Sequence, residues 1–506
     1  MSEEPSVFGD MRRIARSGAI VLLASVFGNG IAYLYSIFLA RRLGPAGFGV
    51  YALGLTIFNV LLLIAPLGME TGVVRYVSQY LGTDQRAAAQ RTIVQVVVLV
   101  LGCSIVIAAG LILMSRTIAV SVYGIEELAG ALPLFAAALP LAALSSILLD
   151  VIRSFQLVRY TVFVRFLWEP CGKFLLSACL LWAGFGLDGV LVALIVTACV
   201  SLAIALKAAA HIGAFGRAAL ASPGLDGMRA LLLFCLPLTI SSFFGVIAPR
   251  SDMLILGYWV NAEQIGVYSI VCQTASILAL VLGAFNTLCA PLIGDISATR
   301  DLRRLRALYQ AIARWTTLCT VPLLCVILVF GDGVLALFGK SFSAGWPCMV
   351  ILALGQVSYS AVGLASTILL MFGHSRQIMG NTVVLALFLV GSNLLLVPYW
   401  GITGAAVAVA ISTTAIGAIN VRQVWSRYRI HPFTAGLVKP AAAGAVAAGV
   451  AWSLKGHFAA GAYPLLIVLM GSIYVLCLAW LRFDAADREI FAPLVARLRP
   501  ARRLLG

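Results

Sequence analysis

Apolar runs of about 20 residues, long enough to cross a hydrocarbon core as helices, recur along the whole of this chain. Fourteen can be traced, near residues 19–40, 49–68, 92–113, 131–150, 161–184, 188–207, 231–258, 265–290, 312–330, 347–371, 378–397, 402–421, 436–453 and 462–481. In lipid each backbone N–H and C=O must find its partner inside the segment, so these runs predict helices. Of the 506 residues, 62% are hydrophobic and 11% charged, which leaves too little polar surface for a soluble protein. No segment between spans is long enough to fold alone. The fold class is an all-α integral membrane protein.

The spans repeat. Phe48-Gly49-Val50-Tyr51 returns as Ile265-Gly266-Val267-Tyr268, 217 positions later. Phe185-Gly186-Leu187-Asp188-Gly189 returns as Trp400-Gly401-Ile402-Thr403-Gly404, 215 positions later. A repeat of this size implies two related six-helix bundles and points to a transporter whose substrate site lies between them. Equivalent helices are six spans apart and run in one direction, so the pseudo-two-fold axis should lie along the membrane normal. The expected layout is a bundle over 1–207, a linker over 208–230 and a second bundle over 231–430. Two extra helices follow over 431–483, and a basic tail over 484–506 reads either as an amphipathic surface helix or as a solvated segment.

Basic residues set the expected orientation. Of the 35 Lys and Arg residues, 28 fall on the side that carries both termini, six on the other side or its helix ends, and Lys173 lies inside a span. That bias puts both termini in the cytoplasm. It also accounts for most of the net charge of +16, so no nucleic-acid surface is implied. The N-terminus is polar through Ser17 and resembles no cleavable signal. Eleven Cys are scattered without a CxxC pair and read as small packing residues.

An ionised side chain at the bilayer centre costs about 2.5–3.5 kcal/mol on insertion scales, so deep charges are the candidate site. Lys173 lies roughly 18 Å into the fifth span, with Glu169 one turn ahead. Two readings stay open for them: a helical pair that neutralises itself, or a lysine that meets an anionic substrate. The seventh span carries Pro249-Arg250-Ser251-Asp252. Pro249 should kink it, and Arg250 with Asp252 either lines a cavity or packs on a neighbouring helix. The first span ends in Arg41-Arg42, against the charge bias, where a helix C-terminus favours cations. Glu70, Arg75, Asp150 and Arg153 stand at cytoplasmic helix ends, where snorkelling makes them cheap. The four His are isolated, and no zinc spacing or nucleophile–base set appears. With outer loops no longer than about 17 residues, the chain has no room for the extramembrane groups of a glycan-forming enzyme.

Several of these residues also form a pattern. Leu39-Ala40-Arg41-Arg42-Leu43-Gly44-Pro45 followed by Phe48-Gly49-Val50-Tyr51 resembles the first-loop signature of oligosaccharide flippases that move O-antigen and exopolysaccharide units. Pro66-Leu67-Gly68 to Gly72-Val73-Val74-Arg75 fits the same pattern, as do Arg250-Ser251-Asp252, Leu256-Gly257, Gly266-Val267-Tyr268 and Leu337-Phe338-Gly339. The resemblance spans about residues 15–430. It implies the superfamily that also holds multidrug antiporters and lipid II flippases, with alternating access. The implied partner is a polyprenyl-diphosphate-linked glycan moved across the bilayer of a bacterial inner membrane, with other polysaccharide assembly proteins as further candidates. Arg41, Arg42, Lys173 and Arg250 would engage the anionic head group. No cofactor is implied. A coupling ion, H+ or Na+, stays open; the sodium site of some lipid II relatives does not carry over, because the eleventh span offers Asn393 but no carboxylate. The alternative function is a cation-coupled multidrug antiporter or a lipid II-type flippase.

Overall fold

The computed structural model describes residues 7–216, 231, 233–235, 250–458 and 460–480, with side chains from residue 23 onward except at 460. The expected linker therefore lies mostly outside the described residues, as do most of the seventh span, Pro249 and the basic tail. The chain divides into two compact units, Met1–Gly266 and Val267–Gly506.

Every regular element among the described residues is a helix. The first unit holds α1 (Val7–Ile64), α2 (Met69–Gly82), α3 (Arg86–Arg116), α4 (Glu126–Ser154), α5 (Val158–Val162), α6 (Glu169–Trp182), α7 (Gly186–His211) and α8 (Ser251–Trp259). The second holds α10 (Ile277–Thr299), α11 (Leu302–Ala336), α12 (Trp346–Val362), α13 (Ala365–Met371), α14 (Ser375–Tyr428), α15 (Val438–Lys455) and α16 (Tyr463–Trp480). Helix α9 (Ala262–Ala275) begins in the first unit and ends in the second. Among the described residues, ten helical stretches are long and apolar enough to cross a membrane.

Two of the longest helices join separate apolar runs across a break. Gly44 interrupts α1 with φ 69° and ψ 177°, followed by Pro45, which lacks an N–H to continue the ladder. Gly401 interrupts α14 with φ 54° and ψ −131°. At that φ a side chain would be strained, which is why glycine stands at the turn in both copies of the repeat: Gly186 has φ 57°. The repeat is thus written in the backbone. Left-handed residues at helix ends recur 215 to 217 positions apart, as Asp84 and Arg300, Gly124 and Gly339, Gln156 and Gly373, Gly186 and Gly401, and Gly213 and Arg429. Gly44 departs from this rule, because the second copy has Val260 there in an extended conformation with φ −127° and ψ 160°.

Lipid tails are as apolar as leucine, so these helices associate through close packing rather than through exclusion of water. Inside the first unit, the two glycines of the repeated tetrapeptide meet. A Cβ built on Gly49 would lie 2.7 Å from the carbonyl carbon of Ala262 and 2.9 Å from the Gly266 nitrogen. One built on Gly266 would lie 3.0 Å from the Gly49 nitrogen. Backbone touches backbone here, and no side chain fits. Behind this contact Phe135 is fully buried, with ring centroids 6.3 Å from Tyr51 and 5.8 Å from Phe58.

The second unit has one core around Ile293, Leu305, Ile312, Leu369 and Val424. A separate cluster of Val321, Phe330, Ala447, Met470 and Tyr474 seats α15 and α16 on α11. The Lys455 ammonium adds a polar clasp, 2.7 Å from Asp332 Oδ1 and 2.7 Å from the Val329 carbonyl. The Asp301 carboxylate caps α11 by accepting from the Arg303 and Arg304 N–H groups at 3.1 and 3.0 Å. All eleven cysteines are free thiols.

Replacing Gly49 or Gly266 by valine should lower thermal stability in detergent by about 1–3 kcal/mol or abolish folded yield, because rigid backbone must move. The same change at Gly102, which faces open space, should be tolerated. Equal melting curves for all three variants would rule out the contact.

Candidate functional site

All ten charged residues singled out from the sequence fall in the first unit, and the structure sorts them into three groups. One group stands where α4, α2 and the segment after α5 come together. The Asp150 carboxylate is buried, with its side chain only 3% exposed. It forms ion pairs with Arg153 at 3.3 Å and with Arg165 at 3.9 Å. Arg165 also donates to the Ser146 hydroxyl at 2.9 Å. Glu70, in the first turn of α2, acts on Asp150 as a like charge.

Arg153, 44% exposed in the last turn of α4, stands as expected at a helix end, but the expectation that Asp150 snorkels there is corrected. Asp150 faces inward, and a buried carboxylate needs partners, which two arginines supply. Arg165 escaped the sequence reading because it lies 15 positions away, on the far side of a turn. Residues Phe163–Trp168 form a π-helix, which shifts the register of the turns that follow. Local packing is tight there, since a Cβ on Gly28 of α1 would lie 2.6 Å from the Phe166 carbonyl.

Arg75 is exposed, as a snorkelling residue is, and packs on aromatic rings. Its guanidinium stacks 4.4 Å from the Phe234 ring and 5.9 Å from Tyr76, and those two rings meet edge to face at 5.8 Å. Arg75 thereby ties α2 to residues 231–235.

The second group lies along α1 and α6. Arg42 sits 5.9 Å from the Phe38 ring; Phe38 and Tyr35 pack on Phe174 at 5.6 and 6.1 Å. The Tyr35 hydroxyl is 2.9 Å from the Ser177 hydroxyl. Lys173 is half-buried beside this ladder, next in sequence to Phe174, while Arg41 and Arg42 are exposed in the last turn before Gly44. Glu169 is half-buried as well. Among the described residues neither Glu169 nor Lys173 takes part in an ion pair, so the self-neutralising pair is not formed.

Arg250 and Asp252 make the third group. Arg250 occupies the N-cap of α8 and is half-buried; Asp252 is 6% exposed in the first turn. The Asp252 carboxylate accepts from the Met253 N–H at 2.7 Å. A carboxylate suits the positive end of the helix, and it acts electrostatically on the neighbouring Arg250. Helix α8 packs on α1: a Cβ on Gly257 would lie 3.1 Å from Leu53 and 2.8 Å from Tyr123.

The arrangement therefore separates two kinds of charge. Asp150, Arg153 and Arg165 satisfy one another and hold helices together. Lys173 and Glu169 are half-buried and take part in no ion pair among the described residues. Among the described residues no group of three or more His, Cys, Asp or Glu is placed to hold a metal ion.

A family model described as polysaccharide biosynthesis protein matches residues 14–297. The chain belongs to the polysaccharide biosynthesis protein family. A probable low-salt glycan biosynthesis flippase of Haloferax volcanii is 23% identical over 404 residues, covering 79% of this chain and 81% of its own. The succinoglycan biosynthesis transport protein of Rhizobium meliloti is 24% identical over 460 residues, covering 89% and 88%. Among solved structures, a lipid II flippase in an inward closed conformation superposes with a TM-score of 0.73 at 12% identity, over 94% of this chain and 100% of its own. An inward-facing multidrug resistance transporter of the MATE family reaches 0.66 at 14% identity, over 81% and 98%. These likenesses confirm the membrane fold; family and relatives are transport proteins rather than enzymes, in keeping with the short outer loops. The resemblance read over 15–430 is matched by the family model through its first two-thirds.

Replacing Asp150 by alanine should destabilise the purified protein by about 1–3 kcal/mol, because two cations lose their buried partner. Arg165→Ala should cost less, since that side chain is 37% exposed. The double variant should fall short of the sum. Strictly additive shifts in melting temperature would dissolve the proposed cluster.

Proposed function

We propose that this protein is a flippase of polysaccharide biosynthesis that carries a polyprenyl-diphosphate-linked oligosaccharide from the inner to the outer leaflet of a bacterial inner membrane. The observation that carries the reading is Lys173: a cation in the middle of a span, half-buried, with no described partner, in a chain of this family. Keeping such a charge in lipid is costly. A diphosphate would offset that cost, and would add charge-assisted hydrogen bonds that water cannot rival inside the protein. Arg250, and Arg41 with Arg42 at the helix end, would widen the anion's seat, since guanidinium groups match phosphate oxygens in pairs. The aromatic ladder of Phe38, Phe174 and Tyr35 beside Lys173 would offer apolar faces to sugar rings, while the polyprenyl tail stays in the bilayer. Glu70, Arg75, Arg153 and Asp252 would serve as positioning residues.

In this reading fourteen spans form two six-helix bundles and an appended pair, with both termini in the cytoplasm. Transport proceeds by alternating access: the bundles expose the site first to one side and then to the other. The repeated left-handed turns support two copies of one bundle plan. The direction of the positive-residue bias supports the orientation. The coupling ion, H+ or Na+, would act through a titratable or carbonyl-rich position, and Glu169 is the half-buried carboxylate suited to it.

One observation favours a second reading. Glu169 has no ion pair among the described residues, as a cation-coupled multidrug antiporter would require of its carboxylate. Complementation of a flippase-null strain separates the two. Lys173→Gln and Arg250→Gln should each reduce polysaccharide export at least tenfold at normal protein levels, Lys173→Arg should restore part of it, and Glu169→Gln should have a smaller effect. Full export by Lys173→Gln and Arg250→Gln would overturn the assignment of roles. Loss only in Glu169→Gln, with drug sensitivity in the deletion strain, would favour the antiporter.

A further inference from the structure

Two cavities in the second unit share the residues Ala361 and Phe433. One, of about 650 Å³, lies between the end of α14 and the segment before α15, and carries Arg422, Trp425 and His431 on its wall. The other, of about 470 Å³, runs between α11, α12 and α15 past Val321, Leu328 and Gly444. None of their lining residues belongs to the candidate site, which is confined to the first unit.

The two differ in chemistry in the order that a lipid does. The first is at the level of helix ends. Trp425 and Phe433 are 46% and 54% exposed at its mouth, where amphipathic and aromatic rings favour the membrane–water interface. Arg422 is exposed and has no described ion pair, and Arg429 stacks 4.8 Å over Trp425 at the rim. The second cavity is lined almost wholly by aliphatic groups. It follows α15 from Leu437 to Ala448, about 16 Å of helix and thus roughly one leaflet of hydrocarbon.

Charge complementarity selects the occupant. Between Asp332 and Asp484 the sequence contains no carboxylate, while Arg422, Arg427, Arg429 and Lys439 crowd the ends of α14 and α15. An anionic head group meets cations there, and neither cavity has a carboxylate in its lining. His431 is held against α11, its carbonyl accepting from the Gln310 amide at 3.3 Å, so the ring is placed at the head-group level.

We propose that the joined cavities hold one anionic phospholipid of the surrounding bilayer, its phosphate at Arg422 and His431 and an acyl chain between α11, α12 and α15. Such a lipid would fill the space left where the appended helix meets the bundle. Its occupancy would couple the stability of the second unit to the lipid composition of the membrane.

The test uses the full-length protein, delipidated in mild detergent, with bound lipid counted by native mass spectrometry and stability followed by thermal unfolding. Phosphatidylglycerol should be retained at least fivefold over phosphatidylcholine and should raise the melting temperature. The double variant Arg422→Gln/His431→Gln should lose the preference. Ala361→Phe, at the junction, should lose both lipids, and Arg376→Gln, an exposed arginine on α14 away from the cavity, should change nothing. If Ala361→Phe fails to fold, the charge variant decides alone. Equal retention of the two phospholipids would overturn the proposal. So would full protection by inorganic phosphate, which would leave only an ion site, or displacement by undecaprenyl phosphate at equal concentration, which would give the groove to the transported substrate. A dimer that dissociates in Ala361→Phe would assign the surface to subunit packing instead.

Discussion

Backbone contact between Gly49 and the Ala262–Gly266 turn is the constraint on which the first unit depends. In water a helical protein can gain stability from any apolar surface it hides. In lipid that gain nearly vanishes, and association relies on how closely helices approach. The repeated tetrapeptide puts a glycine at a place where two backbones come within van der Waals reach. Once that crossing is set, Gly54 lies against Phe135 and Gly257 against Tyr123 and Leu53, so α4 and α8 acquire fixed seats on α1. The charged residues at the helix ends inherit their positions from this packing.

Much of this was legible in the chain. Apolar runs announce helices because lipid offers no partner to an open backbone. The near-identical offsets of two short motifs announced a duplication, and the left-handed turns recur with the same spacing. Legibility failed where a side chain's partner comes from a distant helix. Asp150 looked like a residue that could reach water, because its neighbours in sequence end a span. Its burial depends on Arg165, which the π-helical stretch aims back at α4. Likewise the partner of Arg75, Phe234, belongs to another helix, and neither composition nor periodicity marks it.

Of the two readings open for Glu169 and Lys173, the self-neutralising pair is the one the structure does not form. Their spacing of four favours an ion pair on an isolated helix, by about 0.2–0.5 kcal/mol. That is small beside the packing demands of a span in which Trp168 donates to the Thr197 carbonyl at 3.3 Å and Phe174 is held between Tyr35 and Phe38. Tertiary contacts on either side decide the rotamers, and the pair is not made. Spacing rules predict what a helix would do alone; this helix is not alone.

The consequence is a division of charge that the duplicated scaffold does not impose. The scaffold's repeated features are turns, glycines and aliphatic seams. Its charges do not repeat: at an offset of 217, Arg41 and Arg42 correspond to Tyr258 and Trp259, and Arg250 and Asp252 to Tyr33 and Tyr35. The first unit holds Lys173 and Arg250, while the second has no carboxylate from 333 to 483 and a cationic rim at its helix ends. Changes to these charges alone leave the glycine contacts, and hence the packing they set, untouched.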